Sequence, residues 1–305
     1  MLKIATRKSQ LALWQAEHVA GLLHQAHAGL DVELVPVVTQ GDRILDRTLA
    51  AIGGKGLFVR ELEVALEEHR ADIAVHSMKD LPGEIPDGLG IAAVLERADA
   101  RDALLTSKAA RLVDLPRGTR VGTSSLRRQA QLLAARPDLR IEALRGNVDT
   151  RLRRLDAGEL DAIVLASAGL MRLGWGSRIT EYLDPKISLP AVAQGVIGIE
   201  CRNSDARTLD LVAVLNHRTT RIAMDAERAF AHRLAGSCQS PIAAHARIDG
   251  RRLSLDGLVA EPDGSRLLRD TEAGDVDDAA ALGARLAERI LAAGAGPLLE
   301  RLRAG

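Results

Sequence analysis

Apolar and polar positions in this chain follow two periods in turn, and the alternation predicts the elements. Leu2–Thr6 reads as a short strand. Ser9 stands where an N-cap belongs, ahead of a helical run carrying Leu11, Trp14, His18, Val19, Leu22 and Leu23. Val32–Val38 is a second strand, rich in Val and interrupted by Pro36. A glycine loop, Gly53-Gly54-Lys55-Gly56, leads into a helix over about Leu57–His69, and Asp72–His76 is short and apolar, as a buried parallel strand would be. The same grammar returns after residue 100. Arg120–Thr123 is a strand opening a helix over Leu126–Ala135. Ile141–Leu144 is a strand before a helix over Val148–Ala157, and Asp161–Ala166 is another buried strand. Ala71-Asp72-Ile73 ahead of one apolar strand and Ser77 parallels Leu160-Asp161-Ala162 ahead of another and Ser167, at an offset of about 90 residues.

Alternating strand and helix patterns predict βαβ units in parallel sheets. The near-repeat predicts two similar halves. From about residue 217 the grammar changes. Asp249-Gly250 and Asp263-Gly264 are hairpin signals separating Ala244–Ile248, Arg252–Ala260 and Arg266–Asp270, with Ala/Leu-rich helical spacing from Val276 onward. The expected fold class is therefore α/β: two doubly wound domains around a cleft, like those of periplasmic binding proteins, plus a small α+β C-terminal domain with a three-stranded antiparallel sheet. The expected boundaries are 1–96 with 195–215, then 97–194, then 216–305. Ligands of open α/β sheets bind at strand carboxyl ends.

Composition narrows the function. At 305 residues the chain can bury a core without staples. Lys+Arg and Asp+Glu both count 41, and only five residues are aromatic, which disfavours a nucleic-acid partner. Two cysteines, Cys201 and Cys238, make neither a disulfide framework nor a four-thiolate metal site, so no metal is expected. The opening MLKIATRKSQ has no apolar stretch, and no run approaches about 18 apolar residues. The expectation is a cytoplasmic monomer with no membrane partner.

Charge is segregated despite the neutral total. Arg120–Arg178 holds eleven arginines against six carboxylates. Only six of the 41 basic residues are lysine, so arginine alone means little in this chain. Three hydroxyl- or amide-rich helix starts make anion sites: Thr6–Ser9 beside Arg7, Thr123–Ser125 beside Arg127 and Arg128, and Gly146-Asn147 beside Arg145 and Arg151. One reading is a cleft for a polyanionic small molecule. The other is a solvated helix face, which Arg153 and Arg154 suit better. Lys79-Asp80 follows a buried strand and could bind a ligand or run acid–base chemistry, or Asp80 could cap a turn. His76 suits a packed, hydrogen-bonded role. Leu57 stands where a phosphate loop would need a hydroxyl, so the glycine loop predicts no ATP site. Cys201 sits in an apolar run and reads as core. Cys238 sits in a polar Gly/Pro loop, as a nucleophile, an attachment point or neither.

Taken together, ATRKSQLALWQA (Ala5–Ala16), GGKGLF (Gly53–Phe58), ADIAVHSMKDLP (Ala71–Pro82), VGTSSLRRQAQL (Val121–Leu132), LRGNVDTRL (Leu144–Leu152), LPAVAQGVIGIECR (Leu189–Arg202) and GSCQSPI (Gly236–Ile242) closely resemble the porphobilinogen deaminase family over nearly the whole chain. The resemblance implies head-to-tail joining of four porphobilinogen units, with release of ammonia, into hydroxymethylbilane. It implies a dipyrromethane cofactor held covalently through a thioether to Cys238, and Asp80 as the catalytic carboxylate. It also implies that Lys79, Thr123, Ser125, Arg127 and Arg128 hold the cofactor's acid side chains. Arg7, Ser9, Lys55, Phe58, Ser77, Arg145, Arg151, Arg172 and Gln194 fall on the substrate side. One departure stands out: Ser237 replaces a glycine usual in the family. A non-catalytic anion-binding protein of the same bilobal fold is the rival, and it leaves Cys238 and Lys79-Asp80 unexplained.

Overall fold

In the computed structural model the described residues are 1–39, 59–235 and 240–304. Lys55, Phe58, Ser237, Cys238, the glycine loop and the first residues of the helix expected from Leu57 lie outside them. The chain divides into two compact units, Met1–Ala98 with Val196–Arg221, and Asp99–Gly195 with Ile222–Gly305.

In the first unit β1 (Leu2–Arg7), β2 (Val32–Val37), β3 (Ile73–Ser77), β4 (Leu89–Val94) and β10 (Ile197–Arg202) form one sheet in the order β2-β1-β3-β10-β4. In the second, β5 (Asp102–Thr106), β6 (Arg120–Gly122), β7 (Arg140–Glu142), β8 (Ala162–Ala166) and β9 (Glu181–Tyr182) form the order β7-β6-β8-β5-β9. The two orders superimpose element for element. Both sheets are mixed rather than parallel throughout: β10 runs antiparallel to β3, and β5 antiparallel to β8. Parallel neighbours need a crossover, usually a helix. β10 and β5 instead open the stretches where the chain has just entered each unit, at Val196 and Asp99, so no helical crossover imposes their direction.

The near-repeat has a structural meaning. Asp72 accepts a hydrogen bond from the backbone N–H of Lys3 at 2.8 Å, and Asp161 accepts one from that of Arg120 at 3.0 Å. Each aspartate stands just ahead of its sheet's central strand and ties that strand to the start of its neighbour. Around the sheets pack α1 (Gln10–Ala26), α2 (Arg60–Glu67), α3 (Leu126–Ala135), α4 (Val148–Asp156), α5 (Ser167–Arg172) and α6 (Ala206–Ala213). No helix among the described residues is long and apolar enough to cross a membrane.

The C-terminal sheet is the expected meander, β11 (Ile242–Asp249), β12 (Arg252–Ala260) and β13 (Leu267–Asp275), with turns at the two Asp-Gly pairs. Helices α7 (Arg218–Arg233) and α8 (Ala279–Ile290) share its core through Phe230, Leu282 and Leu286 against Leu253, Leu255 and Val259; α9 (Gly296–Ala304) follows. The β12–β13 turn approaches α3. Gly264 has φ +75°, and a Cβ there would lie 2.5 Å from the Ala134 backbone nitrogen, whereas Gly250, at φ +57°, has open space around it. Gly264→Val is therefore expected to cost about 1–3 kcal/mol through backbone strain together with the clash. Gly250→Val should cost less, since strain alone applies. Urea unfolding of the two variants checks this, and equal losses would remove the close approach as the cause.

Candidate functional site

The first unit gathers one set of site residues. Arg7 closes β1, and Thr6 beside it donates its hydroxyl to the Ala12 carbonyl at 3.0 Å, tying the strand end to α1. Ser9 caps α1 as expected, its hydroxyl accepting from the Ala12 N–H. At the carboxyl end of β3, Ser77 accepts from the Gln15 amide at 2.8 Å, and a short 3-10 turn, Met78–Asp80, follows. The Met78 N–H donates to the Val196 carbonyl, which anchors that turn to the chain entering β10. The outcome is a small cavity lined by Arg7, Ser9, Gln15, His76, Ser77 and Asp80. Lys79 is half-buried and the Asp80 carboxylate is exposed.

Behind this cavity lies a buried ionisable cluster. His76 Nε2 meets Glu200 Oε2 at 2.8 Å, so His76 is the hydrogen-bonded histidine its sequence context suggested. Burial, reinforced by the Glu200 charge, pushes the Glu63 carboxyl above its ordinary pKa. Cys201 is fully buried, as expected of a core residue, and burial pushes its thiol up to about 11.

The second unit holds the other set. Thr123 is buried and its hydroxyl accepts from the Ser125 N–H. Ser125 caps α3, accepting from the Arg128 N–H. Arg127 and Arg128 sit in the first turn of α3, where helical spacing turns both side chains into the protein. Both grip one carboxylate, Asp102, the first residue of β5. Arg127 reaches Oδ2 at 2.7 Å and Oδ1 at 3.1 Å; Arg128 reaches Oδ1 through Nη2 at 2.8 Å and Nε at 3.0 Å. The Ser188 hydroxyl (2.7 Å) and the Gln194 amide (3.0 Å) donate to the same group. Burial opposes ionisation of Asp102, but the two guanidiniums outweigh it and hold the carboxyl far below the usual range. Arg127 also donates to the Leu189 carbonyl and Arg128 to the Val164 carbonyl.

Gln194, expected on the substrate side, is 1% exposed, and its amide nitrogen is spent on Asp102 and the Ala100 carbonyl. It stands behind the arginines and braces their carboxylate. Next to it, Arg172 ends α5 and donates to the Gly195 carbonyl at 2.7 Å; burial pushes its pKa down to about 10. Arg145 and Arg151 flank the start of α4, with Arg151 Nε donating to the Gly146 carbonyl. Arg153 and Arg154 pair with Asp149 and Glu159 on the helix surface, the solvated face expected of them.

Asp102 and Ser188 escaped sequence reasoning. Their partners lie 25, 26, 86 and 92 residues away from Asp102. The one available signal was a charged residue opening an otherwise apolar strand, which on average means a paired group.

These sites fit a ligand rich in carboxylates. Two guanidiniums share one aspartate. Of the five N–H donors on Arg127, the Nε–H and one Nη2–H make no bond among the described residues, although the side chain is 4% exposed. Fold and sites together thus define an α/β protein with an exposed carboxylate at a strand end in its first unit and a buried arginine pair suited to anions in its second.

Two family models match the chain. Porphobilinogen deaminase, dipyromethane cofactor binding domain, covers residues 2–210, and porphobilinogen deaminase, C-terminal domain, covers residues 222–292. The chain belongs to the porphobilinogen deaminase family. It is a transferase of tetrapyrrole biosynthesis with hydroxymethylbilane synthase activity, and its first domain binds a dipyrromethane cofactor. Similar solved structures include an ABC transporter periplasmic substrate-binding protein from Coxiella burnetii. It is 15% identical, with 72% of this chain and 94% of that one covered, and the TM-score is 0.45. A nutrient binding protein from Burkholderia cenocepacia bound to methionine is 14% identical, with 70% and 90% covered, at TM-score 0.43.

Proposed function

We propose that this chain, a cytoplasmic monomer of three domains, joins four porphobilinogen units head to tail into hydroxymethylbilane, with Asp80 as the catalytic carboxylate and Cys238 as the attachment point of the cofactor. In each addition the C–N bond of the substrate's aminomethyl group breaks and ammonia leaves. A new C–C bond forms at the methylene carbon, and the attacking ring carbon loses its proton. Asp80 stabilises the positive charge that grows on the substrate ring as ammonia departs, and its carboxylate can take up the proton released afterwards. The observation that carries this reading is the exposed Asp80 carboxylate on the wall of a cavity shared with Arg7, Ser9 and Ser77 at the end of β3.

The dipyrromethane, when bound through the Cys238 sulfur, supplies the ring carbon to which the first unit is joined and keeps the growing chain attached. Lys79, Thr123, Ser125, Arg127 and Arg128 hold its acetate and propionate groups. Arg7, Ser9, Lys55, Phe58, Ser77, Arg145, Arg151 and Arg172 orient the incoming substrate. Every pyrrole unit adds two carboxylates, so the need for cations grows with the chain, and guanidinium forks meet it bidentately.

Intact mass under denaturing conditions tests the reading. The purified chain, or the chain after incubation with porphobilinogen, is expected to weigh more than the polypeptide by two substrate-derived pyrrole rings, and Cys238→Ser is expected to lose that excess. A bare mass that porphobilinogen never raises would sink the proposal.

A further inference from the structure

Asp102 accepts six hydrogen bonds from four side chains: two from Arg127, two from Arg128, and one each from Ser188 and Gln194. It is fully buried, as are all four donors. Such a count saturates a carboxylate's lone pairs. The donors come from α3 and from the stretch after β9, so one carboxylate fixes two guanidiniums against a backbone segment whose next residue, Gly195, holds Arg172. Arg127 and Arg128 are thereby locked as one rigid fork pair before any ligand arrives.

We infer that Asp102 is a positioning residue for the anion site: it orients Arg127 and Arg128 and offsets part of their positive charge, so that the pair meets ligand carboxylates in a fixed geometry. This rests on the function proposed above, because the ligand carboxylates are those of the pyrrole units. Without Asp102 the two guanidiniums repel one another and lose the plane that held them. Groups that hold a binding residue from behind typically contribute about 10–100-fold to its performance.

The test compares the parental chain, Asp102→Asn, Ser188→Ala and Leu255→Ala. Leu255 is a fully buried core residue of the C-terminal sheet, in the cluster of Phe230 and Leu286 rather than that of Leu189. Each folded apoprotein is incubated with porphobilinogen well below its unfolding temperature, and the fraction gaining the mass of two pyrrole rings is followed with time. Asp102→Asn is expected to load about 10–100-fold more slowly than the parent. Ser188→Ala keeps every charge and removes one of the six bonds; it is expected to raise KM several-fold with kcat held, the signature of lost uniform binding. Leu255→Ala is expected to load at the parental rate despite its lost stability. Parental loading by Asp102→Asn overturns the inference, and so does equal slowing in Leu255→Ala, which would make the effect one of stability alone. If Asp102→Asn does not fold, an unchanged KM in Ser188→Ala overturns it. Failure of the parental chain itself to gain mass would overturn the proposed function, and this inference with it.

Discussion

Asp80→Ala is expected to lower turnover of porphobilinogen by about 10²–10³-fold, the usual loss when a single group that stabilises transition-state charge is removed. Among the described residues Asp80 makes no side-chain hydrogen bond or ion pair whose loss would confuse the result. It is exposed, it lies at the end of a one-turn 3-10 segment, and that segment is anchored by backbone bonds from Met78 to Val196 and from Leu81 to Met78. Unfolding curves of the variant should therefore overlay those of the parent. The loss should fall on kcat rather than on KM, because the charge it answers exists only as ammonia leaves. Asp80→Asn sharpens the test: the amide keeps the size and an acceptor oxygen but neither the charge nor the basicity, so it should sit close to Ala. Asp80→Glu keeps the charge at a longer reach and should recover part of the rate. Steady-state turnover with ammonia release as the readout decides the matter, and near-parental turnover by Asp80→Ala would remove Asp80 from the chemistry.

Much of this was legible in the chain because the relevant signals are local. Ser125 was marked as the start of a helix by its hydroxyl and the apolar spacing after it, and α3 covers the same Leu126–Ala135. The Asp-Gly pairs marked both C-terminal turns because few other dipeptides accept that backbone. The paired Asp72 and Asp161 were visible as a repeat, although their capping of neighbouring strands was not. Other features were hidden for stated reasons. β7 stops at Glu142 rather than Leu144, because the Leu144 carbonyl is taken by the Ser124 hydroxyl instead of a ladder partner. β13 runs on to Asp275 through Thr271-Glu272-Ala273-Gly274, an edge sequence with no apolar alternation to announce it. The reversed strands β5 and β10 look like their parallel neighbours, since burial on both faces leaves the same apolar run whichever way a strand points. Arg127 and Arg128 were picked out as anion-site residues, but nothing local disclosed that one distant aspartate already holds both.

Glu227→Ala is expected to be the most destabilising of the substitutions considered. Glu227 lies on α7 and is fully buried. One of its carboxylate oxygens accepts from the Ala193 N–H at 2.7 Å, the other from the Ala246 N–H on β11 at 2.8 Å. Both bonds are charge-assisted and enclosed, each worth about 1.5–3 kcal/mol, so their loss leaves two buried amides unpaired at about 3–6 kcal/mol in total. That is a large share of the roughly 5–15 kcal/mol that holds a domain folded. Ala193 adds to the stake, because it sits at φ +55°, a left-handed conformation a non-glycine residue keeps only when its surroundings enforce it. The next residue is Gln194, which braces Asp102, so release of Ala193 should loosen the arginine pair as well. Glu227→Gln retains one acceptor but turns an NH₂ toward the second amide, and should fall between parent and Ala. Urea unfolding gives the ranking. A Glu227→Ala variant within about 1 kcal/mol of the parent, below even a single charge-assisted bond, would mean that neither amide depends on this carboxylate. In that case, what holds Ala193 left-handed would have to be the Ala191 carbonyl that accepts from the Gln194 N–H, together with the packing of the buried Ala193 side chain.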